Sequence, residues 1–241
     1  MSTPCQLRKL TRREFRERMD SGELKACILP VAAIEQHLEH LAMEHDWRSV
    51  TAVALQVAQN LSPSVLVAEA LMVGISEHHM NHPGTLTLRP GTFLAVLNDL
   101  IRSLTKAGFT NILVLNGHGG NMQPCQAVWD QFVREFQINL EFFSYWDVLN
   151  ESDAVDLLKS GHRLPDDLPG HAQEFETAIA MSEFGENVRE SAMRSQADQT
   201  PTHATQAQGA EFMERIVERL TEHLEKLIRG ERKIKVPAFH P

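Results

Sequence analysis

Residues 111–121 read NILVLNGHGGN, an apolar run that ends in a turn of Gly, Asn and one His. The run 111–115 is typical of a buried parallel strand, and the spacing from Met122 to Phe136 predicts a helix after the turn. His118 is therefore expected at the carboxyl end of a strand, the edge at which open α/β sheets bind ligands. The glycines allow a metal or a substrate to approach the turn closely.

Strands alternate with helices along the rest of the chain. Apolar runs predict further strands at 25–31, 64–70 and 139–144, and periodic apolar residues predict helices at 12–19, 46–60, 91–107, 171–181 and 207–228. Residues 85–88 alternate and are expected to form a short edge strand. This order predicts an α/β fold with a mainly parallel sheet covered on both faces. No linker divides the chain, so we expect a single domain over residues 1–241.

Composition restricts the partners. The chain has 241 residues and a net charge of −9, which argues against nucleic acid or an anionic membrane as the main partner. Its three cysteines give neither a disulfide framework nor a CxxC metal site. No apolar run approaches the roughly 18–20 residues of a membrane span, and the N-terminus lacks a signal peptide's apolar region. We expect a soluble, cytoplasmic protein with a small-molecule substrate.

A second polar loop follows the apolar run that ends at Val31. Glu35 and His37 are two residues apart and can point the same way, and Asp46 lies where the chain enters a helix. Together with His118 they are the ligand types that suit Zn²⁺, Mn²⁺ or Fe²⁺. Three or four such ligands leave a position for water, whose pKa falls to about 7 on the metal. Taken singly, a solvated loop explains Glu35 and His37, and a helix N-cap explains Asp46.

Three more residues lie near predicted element ends. His171 is a candidate general acid or base, and Glu176 a candidate ligand or orienting residue. The alternative for both is an ordinary charged first turn of a helix. Trp146 follows a strand and is a candidate stacking wall for a planar substrate, or else a core aromatic.

Five segments, in this order, resemble the creatininase (creatinine amidohydrolase) superfamily over roughly residues 26–182. They are Glu35-Gln36-His37 with His40 and Asp46, Ser76 to Thr85, Asn116 to Asn121, Ser144 to Asp147, and His171 to Glu176. The resemblance implies a three-layer α/β/α sandwich, a homo-oligomer with a hexamer favoured, and metal-dependent hydrolysis, often of C–N bonds.

The resemblance also implies roles for individual residues. Glu35, Asp46 and His118 match the ligands of one metal, His37 matches a ligand of a second, and Asp46 would bridge the two. His171 matches a proton shuttle. Gly120 stands where creatininase has a Glu ligand, so Glu176 is expected to replace it. The candidate substrate-binding positions are Trp146, His79, His40 and Gly119.

We therefore expect a metal-dependent hydrolase in which a metal-bound hydroxide attacks a cyclic amide or other C–N bond of a small polar substrate. One or two Zn²⁺, Mn²⁺ or Fe²⁺ ions per chain are expected. Two alternatives remain: a hydrolase or lyase acting on a keto-sugar or keto-cyclitol, and a non-catalytic, oligomeric metal-binding scaffold.

Overall fold

A computed structural model describes residues 4–160 and 168–238. Its sheet has four parallel strands in the order β2-β1-β3-β4. They are β1 (Ala26–Val31), β2 (Val65–Val67), β3 (Asn111–Asn116) and β4 (Asn139–Ser144). Val31 pairs with Asn116 and Asn116 with Ser144, so β1, β3 and β4 end at the same level.

Helices cover both faces of this sheet. They are α1 (Arg12–Asp20), α2 (His45–Asn60), α3 (Pro90–Lys106), α4 (Met122–Phe136), α5 (Glu151–Leu157), α6 (Glu174–Glu183), α7 (Glu190–Ser195) and α8 (Gln206–Ile228). Neighbouring strand residues point to opposite faces. Ile28 and Leu113 pack with α2, α6 and α8, whereas Leu29 and Ile112 pack with α3 and α4. The predicted three-layer α/β/α sandwich is confirmed.

The direction of the chain changes between β1 and β3. Helix α2 leads from β1 to β2 on one side, and α4 leads from β3 to β4 on the other. Right-handed crossovers in opposite directions place these helices on opposite faces. The loops that follow β1 and β3 therefore diverge and open a crevice at the carboxyl edge, which is where such sheets bind ligands.

The strand expected at 64–70 is shortened to Val65–Val67, and two further predictions about elements are wrong. Residues 85–88 are not a strand: Leu86 forms only an isolated antiparallel bridge with Ile34. The helix expected from His171 begins at Glu174, because Ala172 has a φ of +53°, which an α-helix does not contain. In residues 4–160 and 168–238, no helix is long and apolar enough to cross a membrane.

Candidate metal centre

The crevice brings the turn after β3 against the start of α2. A Cβ at Gly117 would lie 2.8 Å from the Asp46 carbonyl oxygen and 2.8 Å from Val50 Cβ, so this approach requires glycine. The Asn116 side chain holds the turn, since its amide donates to the His118 carbonyl (2.7 Å) and its oxygen accepts from the His118 N–H (3.2 Å). His118 is thereby presented to Asp46.

Asp46 lies between two groups of donors. Its Oδ2 is 3.0 Å from His118 Nδ1, which is 3.3 Å from Glu35 Oε1. Its Oδ1 is 3.0 Å from His37 Nε2, which is 3.7 Å from Glu176 Oε2. One carboxylate thus offers an oxygen to each group, the arrangement that a bridging ligand requires.

Backbone contacts fix the tautomers of both imidazoles. His37 Nδ1–H donates to the Glu35 carbonyl (3.1 Å), and His118 Nε2–H donates to the Ile75 carbonyl (3.0 Å). The other nitrogen of each ring faces the carboxylates. Asp46 Oδ2 forms no hydrogen bond of acceptable geometry although His118 Nδ1 is 3.0 Å away. An oxygen and a ring nitrogen so placed suit co-ligands of one cation once the nitrogen has given up its proton.

The carboxylates carry negative charge that the described residues do not balance with Lys or Arg. Glu35, Asp46 and Glu176 are 2%, 2% and 3% exposed. Within 4–160 and 168–238, their ion-pair partners are all histidines. Burial, reinforced by the charge of Asp46 against the opposing effect of His37, raises the pKa of Glu176 to about 8. This donor set, with its buried oxygens, fits a divalent cation.

The pKa values of His37 and His118 also show that the site favours positive charge. Burial lowers the pKa of His37, but the charge and hydrogen bond of Asp46 outweigh it and raise this pKa to about 9. The pKa of His118 is lowered by burial but raised overall, to about 10, by Asp46 and Glu35. In the metal-free protein, protons therefore take the position that a cation would take, and a bound metal would displace them.

His45 was not predicted to belong to this centre. Ligand atoms of His37, His45, Asp46 and Glu176 all lie within 4.8 Å of one another. The hydroxyl of Ser49 lies 3.2 Å from His45 Nε2, and buried His45 Nδ1 has no hydrogen-bond partner in the described part of the chain. The only sequence signal was its position beside Asp46 in the first turn of a helix.

Gly120 could not carry the glutamate that the family resemblance leads one to expect there without a shift of the backbone. A Cβ at Gly120 would lie 2.2 Å from the Ile75 carbonyl oxygen and 2.5 Å from His118 Nε2. Glu176 instead reaches the centre from the first turn of α6, where its Oε2 accepts the Ala172 N–H at 2.6 Å. The positive φ of Ala172 directs that N–H to the carboxylate.

His171 lies beside the donors, and Gln36, which was not predicted, contacts it. Gln36 Nε2 is 2.8 Å from His171 Nε2 and 2.9 Å from His79 Nδ1. Its oxygen accepts the Leu38 N–H, so the amide group donates to both rings. The protonated nitrogens are then those nearer Glu35, with His171 Nδ1 3.6 Å from Glu35 Oε1. Burial, with the charge of His37, lowers the pKa of His171 to about 4.

The four predicted substrate contacts divide into open and buried positions. His79 is partly exposed and stacks on His171 at 4.4 Å, and Gly119 is exposed. His40 is buried, with Nε2 2.9 Å from Thr177 Oγ1 and Nδ1 3.2 Å from Gln196 Oε1. Trp146 is buried in the apolar layer against Tyr145. Its surroundings are those of the core aromatic, the alternative weighed for it from the sequence.

Comparison with known proteins gives a consistent picture. A model of the Creatininase family, described as creatinine amidohydrolase, matches residues 8–224. Creatinine amidohydrolase of Pseudomonas putida is 29% identical over 193 residues, covering 76% of this chain and 73% of that protein. The 3-dehydro-scyllo-inosose hydrolase of Thermotoga maritima is 32% identical over 130 residues, 54% of this chain and 40% of that protein. A mycofactocin precursor peptide peptidase of Mycolicibacterium smegmatis is 32% identical, with 42% of each chain covered.

Solved structures match over nearly the whole chain. A creatininase variant superposes with a TM-score of 0.82 at 23% identity, covering 94% of this chain and 99% of that one. A manganese form of creatininase gives a TM-score of 0.81 at 24% identity, covering 93% and 98%. At this level of identity, the likeness shows a shared fold.

Proposed function

The chain belongs to the creatininase family, and we propose that it is a metal-dependent hydrolase that cleaves an amide-type C–N bond of a small polar substrate. The observation that carries the proposal is the pair of buried donor groups that share Asp46. Relatives named as an amidohydrolase and as a peptidase support the choice of an amide bond.

Five residues would hold the metal. Glu35, Asp46 and His118 would bind one ion, and His37, Asp46 and Glu176 a second. His45 is a further donor within reach of the second group. Zn²⁺ and Mn²⁺ are our first candidates, because creatininase structures include a zinc–zinc form and a manganese form. Such ions polarise a carbonyl and lower the pKa of bound water to about 7.

His171, which matches the family's proton shuttle, would present an N–H to the departing nitrogen. The Gln36 amide nitrogen donates to His171 Nε2, which leaves the His171 proton on Nδ1, facing Glu35. A substrate held over the carboxylates would meet that N–H. His79, held by the other proton of the same amide group, would offer a second N–H to a developing oxyanion. Gln36 is therefore proposed as the residue that positions both rings.

Keto-sugar or keto-cyclitol chemistry is the second candidate. The inosose hydrolase of Thermotoga maritima supports it, since it is similar over 130 residues. The same carboxylates and imidazoles suit a polarised ketone. A non-catalytic scaffold remains the third candidate, and a bound metal without a position open to water would favour it.

The products distinguish these candidates. Metal-loaded wild type should be incubated separately with creatinine, short peptides and a keto-inositol, and the product of each substrate identified. Amide cleavage, seen as creatine from creatinine or as a new amino group from a peptide and lost in Asp46→Asn, is the expected result. A ring-opened, nitrogen-free acid from the keto-inositol alone would favour keto-cyclitol chemistry, and activity that survives metal removal would contradict a metal-dependent hydrolase.

We also propose a single-domain, cytoplasmic homo-oligomer, with a hexamer favoured. The family match over residues 8–224 supports one domain, and three free cysteines suit a reducing compartment. The hexamer rests on the family alone. Light scattering on the eluted protein would give the number of chains, and a monomer would contradict the proposal.

A further inference from the structure

Leu38 has an unusual backbone conformation for its residue type. Its φ is +54°, in the left-handed region that glycine adopts freely and other residues enter at a cost, because their Cβ crowds the carbonyl oxygen. Two other non-glycine residues in the described ranges share it. Gln137 caps α4 through its N–H to Val133, and Ala172 directs its N–H to Glu176.

The backbone contact of Leu38 does not explain its side chain. The Leu38 N–H donates to Gln36 Oε1 at 2.9 Å, a bond that glycine would form equally well and without the Cβ contact. The side chain is nevertheless a large apolar group that is 39% exposed. Strained residues cluster at functional sites, where the strain serves binding or catalysis.

The Leu38 side chain lines a cavity of about 510 Å³ beside the metal centre. Met43, Pro83 and Ala197 are its other apolar walls, and its polar lining residues are Gln36, Glu39, His82, Gln196 and Asp198. Gly84 has a φ of +99°, and a Cβ there would lie 2.5 Å from Met43 Cε, so glycine makes room for the Met43 side chain. Met is flexible enough to adapt to varied ligands.

Gln36 lies between this cavity and the two histidines beside the candidate metal centre. Its side chain lines the cavity and its amide contacts His171 and His79. The Gln36 amide is separated from the Glu35 carboxylate by one imidazole ring. Gln36 thus lies between the cavity and the imidazole that faces the Glu35 carboxylate.

We propose that this cavity, the Leu38 pocket, receives an apolar substituent of the substrate beyond the scissile bond, and that Leu38 sets this preference. The proposal rests on the proposed function and refines it: the substrate combines a polar reacting end with an apolar extension. Burial of that extension against Leu38 and Met43 provides the affinity. Leucine would then be retained at this strained position because its side chain contacts the substrate.

Two hydroxamic acids test the Leu38 pocket without knowledge of the substrate. Hydroxamates chelate divalent metals through two oxygens, so acetohydroxamic and octanohydroxamic acid share one anchor and differ only in the apolar chain. Calorimetry on the full-length, Zn²⁺-loaded protein should show octanohydroxamate bound about tenfold or more tightly than acetohydroxamate. Leu38→Gly should keep the acetohydroxamate affinity, lose most of the difference, and unfold at no lower temperature than wild type.

Gln137→Gly is the matched control, because it changes another exposed left-handed residue far along the chain in α4's C-cap. It should leave both affinities unchanged. Met43→Ala, on the opposite wall, should also reduce the difference. Equal binding of both acids by wild type would overturn the Leu38 pocket, and a full preference retained in Leu38→Gly would overturn the role of Leu38. Failure of both acids to bind would instead overturn the proposed metal centre.

Discussion

Two buried acidic sites, one at Asp153 and the other at the candidate metal centre, differ in how their negative charge is balanced. Asp153, in α5, accepts from Arg215 Nη1 at 2.8 Å and from Arg219 Nη2 at 2.9 Å, both in α8. The candidate metal centre has three carboxylates, whose ion pairs in the described ranges are with histidines alone. The charge of Asp153 is balanced by permanently charged arginines, whereas the candidate metal centre is balanced only when its histidines take up protons or, as we propose, a metal ion binds.

The pKa values show the consequence of this difference. Burial raises the pKa of Asp153, but hydrogen bonds from Arg219 and Arg215 outweigh it, and the pKa falls to about 2. Burial raises the pKa of Glu176 to about 8 because His37 only partly offsets it. One carboxylate joins α5 to α8 and stabilises the fold, whereas the other is held at a cost in stability that a bound metal would offset.

Asp46→Asn should have the largest effect on the metal centre, because both donor groups use this side chain. Activity should fall by about three orders of magnitude or more, and bound metal should be lost. Turnover and elemental analysis of the same preparation would measure both. Asp153→Asn is the control: it removes a buried carboxylate but should keep metal and activity at 25 °C. An Asp46→Asn protein with full metal and activity would contradict the account.

Removal of metal should destabilise the wild-type protein. A ligand that binds only the folded state at a concentration of about 100 times its Kd adds about 2.7 kcal/mol. Treatment with a chelator should therefore lower the melting temperature by several degrees, and Zn²⁺ or Mn²⁺ should restore it. Asp46→Asn should show little response to either treatment. Equal responses in both proteins would place the stabilising metal elsewhere.

The metal-free protein should lose stability as the pH rises, through Glu176. A carboxyl whose folded pKa lies above its unfolded value of about 4.3 adds stability below that value. This stability is lost as the pH rises towards the folded pKa of about 8. Glu176→Gln should flatten this decline in chelator-treated protein, as measured by urea unfolding at several pH values. An unchanged decline would mean that Glu176 is not the group responsible.

Asp153 should give the smaller effect, with the opposite sign. Its folded pKa of about 2 lies below the unfolded value, so its contribution is present above pH about 4 and is lost as the pH falls towards 2. Asp153→Asn should cost about 1–2 kcal/mol at neutral pH, because its arginine partners are partly exposed and remain solvated. The loss should shrink in acid. A variant equally destabilised at pH 3 and pH 7 would contradict an ion-pair origin.

Much of the fold could be predicted because local patterns determine it. The strand 139–144 and the helix 122–136 agree with the structure residue for residue, since apolar runs and 3.6-residue spacing are local properties. The strand predicted at 85–88 was wrong because alternating apolar and polar residues do not by themselves provide a neighbouring strand to pair with. The start of α6 was misplaced because the left-handed backbone conformation of Ala172 accompanies its hydrogen bond to Glu176, and the sequence pattern does not show that bond.

The sequence indicated which residues form the candidate centre, but it did not indicate which of their atoms are in contact. Glu35, His37, Asp46, His118 and Glu176 do lie together, although their roles as ligands remain proposals. Gln36 and His45 were missed, because an amide between two imidazoles and an unpaired ring nitrogen are recognisable only in three dimensions. The buried position of Trp146 likewise depends on how the layers pack.

Metal content per chain, measured by elemental analysis on wild type and Glu176→Gln purified side by side, tests the central claim most directly. Two donor groups that share Asp46 predict about two equivalents in wild type. The variant should lose the ion held with His37 and keep the one held by Glu35 and His118, which leaves about one equivalent. One equivalent or fewer in wild type, unchanged in the variant, would contradict a two-metal centre with Glu176 as a ligand.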